Sequence, residues 1–307
     1  MTSFATAEAL LFRSTPTTPP STLQMPTRPS KPTPKGSRLA KSGELFDGVK
    51  PEWDSAHDQF YLGTAGWSYD DWDGVFYPAG TSSKGRLPYY ASQFRSVEID
   101  STFYAIPSRT TVQSWHQRTP PGFVFAAKFP RQITHEARLV GCGTEAATYI
   151  EVMTELGDRL GPLLIQLPPS FTVDNFDDLA RFLEGLPDGF MYAVEVRHPS
   201  WLVDEYADLL KRWRVAMTLT CGGHLGRFWR VTSRIAYMRW LGPHDPFERY
   251  DRLQEPRDEA LDWWAPRMAH FLGRGGTLFG YAANDYEGFA PQTARRVSRR
   301  VADCLTS

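Results

Sequence analysis

Cysteine is scarce in this chain. Its three copies, Cys142, Cys221 and Cys304, lie far apart, and no second Cys or His stands at metal-ligand spacing from any of them. That pattern excludes a disulfide framework and a Cys/His zinc centre, and it fits a reducing, cytoplasmic setting. Excess charge is missing as well. The 34 basic and 35 acidic residues leave a formal net charge of -1, so no global field draws the chain to nucleic acid or to an anionic membrane. No apolar run reaches the roughly eighteen residues of a membrane helix, and Leu10 to Phe12 is too short for a signal-peptide core. A soluble protein with no membrane partner is expected. The usual phosphate and nucleophile loops are absent too. Gly63-Thr-Ala-Gly66 lacks the GxGxxG spacing, no GxxxxGK[ST] loop occurs, and no GxSxG elbow presents a serine.

What is present divides in two. Residues 1–57 are rich in Pro, Ser, Thr and Lys, with prolines at 16, 19, 20, 26, 29, 32 and 34. Such a segment has little apolar surface to offset the entropy of ordering, so a disordered tail is expected there. Its prolines also interrupt the amphipathic helix that an organellar signal needs.

Residues 58–307 have another texture: short apolar runs separated by helix-length amphipathic segments. The runs are Tyr61–Tyr69, Val97–Asp100, Phe123–Phe129, Leu163–Leu167, Met191–His198, Val215–Thr220, Ile235–Trp240 and Thr277–Asn284. Between them helices are predicted over Gly85–Phe94, Thr110–Gln117, Glu145–Leu160, Phe176–Leu186, Trp201–Arg214, Arg257–Leu272 and Thr293–Leu305. The segment after Val215–Thr220 is short enough to hold only a turn. In the last helix Ala294, Val297, Val301 and Leu305 form a core-facing stripe, leaving Arg295, Arg296, Arg299 and Arg300 as a solvated face. Eight strands alternating with helices over about 250 residues predict an α/β fold, a single TIM-type (β/α)8 barrel preceded by the tail. A doubly wound sheet is the structural alternative.

The functional signal is positional. Most of the predicted strands are apolar until their C-terminal ends and polar there: Glu98 and Asp100, Lys128, Gln166, Glu195 with Arg197 and His198, Arg239, and Asn284. In a TIM barrel those ends form the catalytic face. Alternation puts Lys128 above Ala126, Glu195 above Ala193 and Asn284 above Ala282 and Gly280, so small residues would leave room for a ligand.

Six ordered segments sharpen this: GTAGWSYDDWDGVFYP, VEIDSTFYAIPS, KFPRQITHEARL, QLPPSF, VEVRHPSW and NDYEGFAP. From Leu62 to about Val301 the chain resembles the YecE-like family, a TIM-barrel domain of unknown function. The resemblance implies the barrel and marks Glu98, Ser101, Phe103, Tyr104, Lys128, His135, Gln166, Glu195, Arg197, His198, Trp201 and Asn284 as motif positions. It implies no activity, cofactor or partner. Asp100 departs from the pattern, standing where an Asn is usual, which exchanges a neutral donor and acceptor for a charged acceptor.

Three cations around two or three carboxylates suit an anionic ligand held by charge-assisted hydrogen bonds while an acid moves a proton. The expected activity is a metal-independent hydrolase or lyase acting on a small anionic, sugar- or nucleotide-like ligand. Glu195 leads as general acid/base, Glu98 follows, Lys128 joins them, and His135 or His198 shuttles protons. Arg197, Arg239, Gln166, Asn284, Asp100 and Ser101 would bind the ligand, with Tyr104, Trp67 and Trp201 available for stacking. Two other readings stay open. One is a non-catalytic barrel binding a ligand or nucleic acid through its aromatic rim. The other is a divalent-metal-dependent isomerase or phosphodiesterase using Glu98, Glu195, Asp100 and a histidine. The competition of Lys128 and the arginines for the same carboxylates weighs against the metal.

Overall fold

The computed structural model describes Trp53 and residues 56–307 apart from residue 224. The expected tail therefore lies almost wholly outside the described residues. The strands are β1 (Phe60–Thr64), β2 (Ser96–Ile99), β3 (Val124–Lys128), β4 (Leu160–Gln166), β5 (Tyr192–Glu195), β6 (Ala216–Cys221), β7 (Ile235–Trp240) and β8 (Thr277–Ala282). All pair in parallel in the order β1-β8-β7-β6-β5-β4-β3-β2. The ends of that row meet. Ala65 bridges to Glu98, and the Gly66 N–H donates to the Glu98 carbonyl at 2.9 Å. Gly63 permits this closure, because a Cβ there would lie 1.8 Å from the Ser96 carbonyl oxygen. The result is a nearly closed TIM-type barrel.

The helices are α1 (Ser83–Gln93), α2 (Arg109–Gln117), α3 (Gly143–Met153), α4 (Phe176–Gly185), α5 (Asp204–Trp213), α6 (Asp258–Gly273), α7 (Asn284–Glu287) and α8 (Ala290–Thr306). Ser82 and Ser108 cap α1 and α2 through their side chains, as serine does where the first turn has free N–H groups. Among the described residues no helix fills the β6–β7 connection. Several boundaries differ from the sequence expectation. β1 stops at Thr64 because Gly66 turns with φ 74. α3 ends at Met153 and gives way to a 3-10 stretch broken at Gly157, φ 55. β8 stops at Ala282, so Asn284 opens a short helix instead of closing a strand.

Two cores result. One lies between the barrel and its helices, and the other fills the barrel with Ala126, Leu164, Ala193, Ala216, Tyr237, Phe279 and Tyr281. Burying each large ring contributes on the order of 2 kcal/mol. This arrangement corrects two expectations. Ala126 and Ala193 do face inward, but they pack with the tyrosines of β7 and β8. Ala282 belongs to the outer core, and a Cβ on Gly280 would meet the Trp240 ring at 2.9 Å, so these two small residues leave no space inside. The arginines of α8 are also more committed than a solvated face. Arg296 pairs with Glu287 and Asp258, and Arg300 with Asp258 and Asp262, tying α8 to α6.

Candidate functional site

Two residues above the tyrosine layer the interior turns polar. The period-2 alternation that places Ala126, Leu164, Ala193 and Tyr237 inside puts Lys128, Gln166, Glu195 and Arg239 on the same face near the C-terminal ends of β3, β4, β5 and β7. Glu98 stands in the same way above Ser96, whose hydroxyl lies 2.8 Å from the Tyr281 hydroxyl.

Arg239 is the centre of this layer. Its Nη1 donates to Glu195 Oε2 at 2.7 Å and, at a longer 3.5 Å, to Gln166 Oε1, while Nη2 donates to Glu98 Oε1 at 2.8 Å. The Tyr237 hydroxyl donates to Glu98 Oε2 at 2.6 Å. On the far side of Glu195, Arg197 donates through Nε to Oε1 at 2.7 Å. Closer to solvent, Lys128 Nζ lies 3.2 Å from Asp100 Oδ1 and 4.9 Å from the centre of the Phe103 ring. His135 sits on a π-helical turn, Gln132–Glu136, and meets Phe103 edge-on at 5.0 Å. Its Nδ1 lies 2.9 Å from the Thr134 hydroxyl.

Burial and charge divide the two glutamates. Burial alone would raise Glu195, but Arg239 and Arg197 overcome it and hold the carboxyl at about 2. For Glu98 burial prevails: Arg239 offsets it only in part, Asp100 adds repulsion, and the pKa is raised. Desolvation lowers Arg239, yet Glu98 and Glu195 keep it well above its ordinary range. His135 is driven down to about 4 by burial and then by Arg197 and Lys128, so the ring is neutral at pH 7.

The other sequence candidates scatter. His198 Nδ1 lies 2.8 Å from the Ser200 hydroxyl and accepts from the Ser200 N–H at 3.2 Å, capping the turn Pro199–Trp201. Trp201 is in the outer core, donating to the Phe171 carbonyl at 2.7 Å and stacked on Phe171 and Phe176. Trp67 packs edge-on against Trp115 and Phe125. Ser101 is exposed, and Tyr104, 75% exposed, stands T-shaped on Phe103. Asn284 is buried with Oδ1 accepting from the Ala290 N–H at 3.0 Å. Sequence reasoning missed Tyr237, which holds Glu98 from below. Strand alternation was the signal for it, since Tyr237 lies one layer below Arg239 on the same face of β7.

Among the described residues no three His, Cys, Asp or Glu side chains converge as a metal would require. The chemistry agrees, since the cluster carboxylates point their oxygens at guanidinium and ammonium groups. A cavity of about 260 Å³ lies elsewhere, between α3 and α4, and its charged residues Asp178 and Arg181 pair with each other.

Comparison with known proteins places these features in a wider set. The family profile described as Protein of unknown function DUF72 matches residues 61–305. The UPF0759 protein YecE of Escherichia coli (strain K12) is 36% identical over 141 residues, 46% of this chain and 49% of that protein. The UPF0759 protein YunF of Bacillus subtilis (strain 168) is 29% identical over 149 residues, 46% of this chain and 51% of that one. Each alignment thus spans about half of the relative. A crystal structure of a DUF72 family protein from Thermotoga maritima MSB8 superimposes with a TM-score of 0.63 at 26% identity, covering 81% of this chain and 99% of the other. One from Enterococcus faecalis V583 gives 0.60 at 18% identity, covering 81% and 98%.

Proposed function

The chain belongs to the DUF72 family, and from that premise and the charge layer at its barrel mouth we propose a metal-independent hydrolase or lyase acting on a small anionic, sugar- or nucleotide-like ligand. One observation carries the proposal. Arg197 engages Glu195 through Nε alone, and among the described residues its two Nη amines have no protein partner. A guanidinium 24% exposed with a free fork, held by a carboxylate behind it, is built to grip a phosphate or carboxylate in two parallel hydrogen bonds. Lys128, ion-paired with Asp100 on one side, supplies a second cation near the opening.

The proton role falls to Glu98 in place of Glu195. A carboxyl held near 2 by two guanidiniums stays an anion and serves to position Arg197 and Arg239. Glu98 is the carboxyl of the layer whose neutral form burial favours, which is what a general acid needs. Neutral His135 can pass a proton without adding charge beside the two cations.

The test pairs binding with turnover. Inorganic phosphate should stabilise the protein in a thermal-shift titration, and Lys128→Met with Arg197→Met should remove that effect, since a ligand selective for the native state raises its stability. A screen of phosphorylated and carboxylated metabolites followed by NMR should find one that is consumed by the wild type and bound but not consumed by Glu98→Gln. Undiminished turnover in Glu98→Gln, or phosphate stabilisation that survives loss of both cations, contradicts the proposal. The complete burial of Glu98 favours a second reading, a non-catalytic ligand-binding barrel. It expects the same binding and no consumption by any form.

A further inference from the structure

Three of the sequence segments carry residues that the charge layer does not use. Arg138 lies near the end of KFPRQITHEARL, Phe171 closes QLPPSF and Trp201 closes VEVRHPSW. They stand in the loops that follow β3, β4 and β5, the strands that deliver Lys128, Gln166, and Glu195 with Arg197. The first of these loops takes a costly path. Past the π-helical turn Gln132–Glu136, Arg138 and Leu139 adopt φ of 50 and 66 in succession, a left-handed backbone that side-chain-bearing residues avoid. Leu139 turns into the outer core, and its N–H donates to the Ile133 carbonyl at 3.0 Å.

Arg138 reaches the other way, to the loop after β4. Its Nη1 donates to the Ser170 hydroxyl at 3.1 Å, and its Nη2 donates to the Ser170 carbonyl at 3.2 Å and to Asn175 Oδ1 at 2.9 Å. The guanidinium carbon also lies 5.2 Å from the centre of the Phe171 ring. A side chain that only covered the outer core would be apolar. This one bonds a hydroxyl, a carbonyl and an amide of a single neighbouring loop, so it fixes where that loop stands.

From there the contact passes to the loop after β5. Phe171 and Trp201 are both fully buried, with rings stacked at 5.9 Å and 7° from parallel, and Trp201 Nε1 donates to the Phe171 carbonyl at 2.7 Å. A second tie runs alongside it, since the Val173 N–H donates to the Ser200 hydroxyl at 3.0 Å. Ser200 is held in turn by His198, the residue after Arg197. An anion site gains affinity when its cations are fixed before the ligand arrives, because the cost of ordering them is not incurred at binding.

We propose that Arg138 is a positioning residue, which through Phe171 and Trp201 braces the loops after β3, β4 and β5 into one frame and so holds Arg197 ready beside the end of β5. The benefit to a ligand rests on the anion reading above, but the brace itself is tested without a ligand. Arg138→Gly in the full chain removes the guanidinium while glycine accepts the positive φ. Amide hydrogen exchange should then quicken about tenfold in residues 170–175 and 198–202 as well as in 131–139, with β6, β7 and β8 unchanged. Arg138→Lys, which keeps a cation but cannot reproduce the fork, should show the same pattern at smaller size. Ser200→Ala should quicken residues 170–175 from the other side. Inorganic phosphate should bind about fivefold more weakly to Arg138→Gly in calorimetry, although position 138 does not reach the ligand. Quickening confined to residues 131–139 overturns the brace, as does uniform quickening through all eight strands, which would make Arg138 a residue of global stability. Quickening in all three loops with phosphate affinity unchanged overturns the positioning role. If phosphate fails to bind the wild type, the anion reading fails and the exchange pattern alone decides the brace.

Discussion

Arg239 Nη1 stands 2.7 Å from Glu195 Oε2 with both side chains sealed from solvent, and the same guanidinium holds Glu98 at 2.8 Å. Such a triad contributes little net stability while intact, because desolvating three charges offsets their attraction. Breaking it is different. Arg239→Met leaves two buried carboxylates facing a thioether and should cost about 3–5 kcal/mol in urea denaturation. Arg239→Lys should recover little, since one ammonium cannot reproduce a planar fork aimed at two acids. Adding Glu195→Gln to Arg239→Met should restore part of the loss. A change below about 1 kcal/mol for Arg239→Met would show that the triad reorganises at little expense.

Acid should unfold the barrel through Glu195. Its carboxyl sits at about 2 in the native state against an ordinary 4.5. A depressed folded pKa adds stability that is complete above the unfolded value and is lost as pH falls through the folded one, here between about 4.5 and 2. The full difference corresponds to about 3 kcal/mol. Urea midpoints measured from pH 6 down to pH 2 should therefore fall more steeply in the wild type than in Glu195→Gln. Parallel curves would remove Glu195 from the acid response.

His135 reports on the cations beside it. With its pKa near 4, the ring should remain neutral at pH 5.5 in an NMR titration, where an unperturbed histidine is mostly charged. Lys128→Met or Arg197→Met should move the midpoint upward by relieving repulsion. Phosphate bound between the cations should raise it as well, because the anion cancels part of their field. An unchanged midpoint in both variants would assign the low value to burial, with Arg131 as the remaining charge that lowers it.

The strand order and polar mouth were legible in the sequence for one physical reason: in a parallel barrel each strand carries its own signal, a short apolar run with a polar end. Glu98, Lys128, Gln166, Glu195 and Arg239 were all found in this way and do share one layer. What failed needed tertiary information. Trp201 follows a strand just as Phe103 does, yet it turns into the outer core because Phe171 and Phe176 offer it stacking surfaces. Asn284 was expected on a strand that ends at Ala282, so its inferred face was wrong. The ranking of the glutamates depended on how many guanidiniums each one meets. Only the fold shows that, among the described residues, Glu195 meets two guanidiniums, Arg239 and Arg197, while Glu98 meets one, Arg239.

The Asp at position 100 offers the sharpest local test, because its carboxylate sits 3.2 Å from the ammonium proposed to receive the ligand. A resident carboxylate and an incoming anion compete for the same ammonium charge of Lys128. Asp100→Asn removes the competitor and keeps an acceptor of the same shape. Lys128 is 12% exposed and Asp100 32%, so solvent screens the pair and the gain should be modest, about 1 kcal/mol. Inorganic phosphate should accordingly bind several-fold more tightly to Asp100→Asn, and its affinity should fall more steeply with salt because one more net positive charge faces it. The substitution should also lower the Glu98 pKa, because Asp100 is one of the charges that raise it. Weaker phosphate binding by Asp100→Asn would mean that Asp100 holds Lys128 in its working position instead of competing for it, and the ligand contact would then have to be assigned to Arg197 alone.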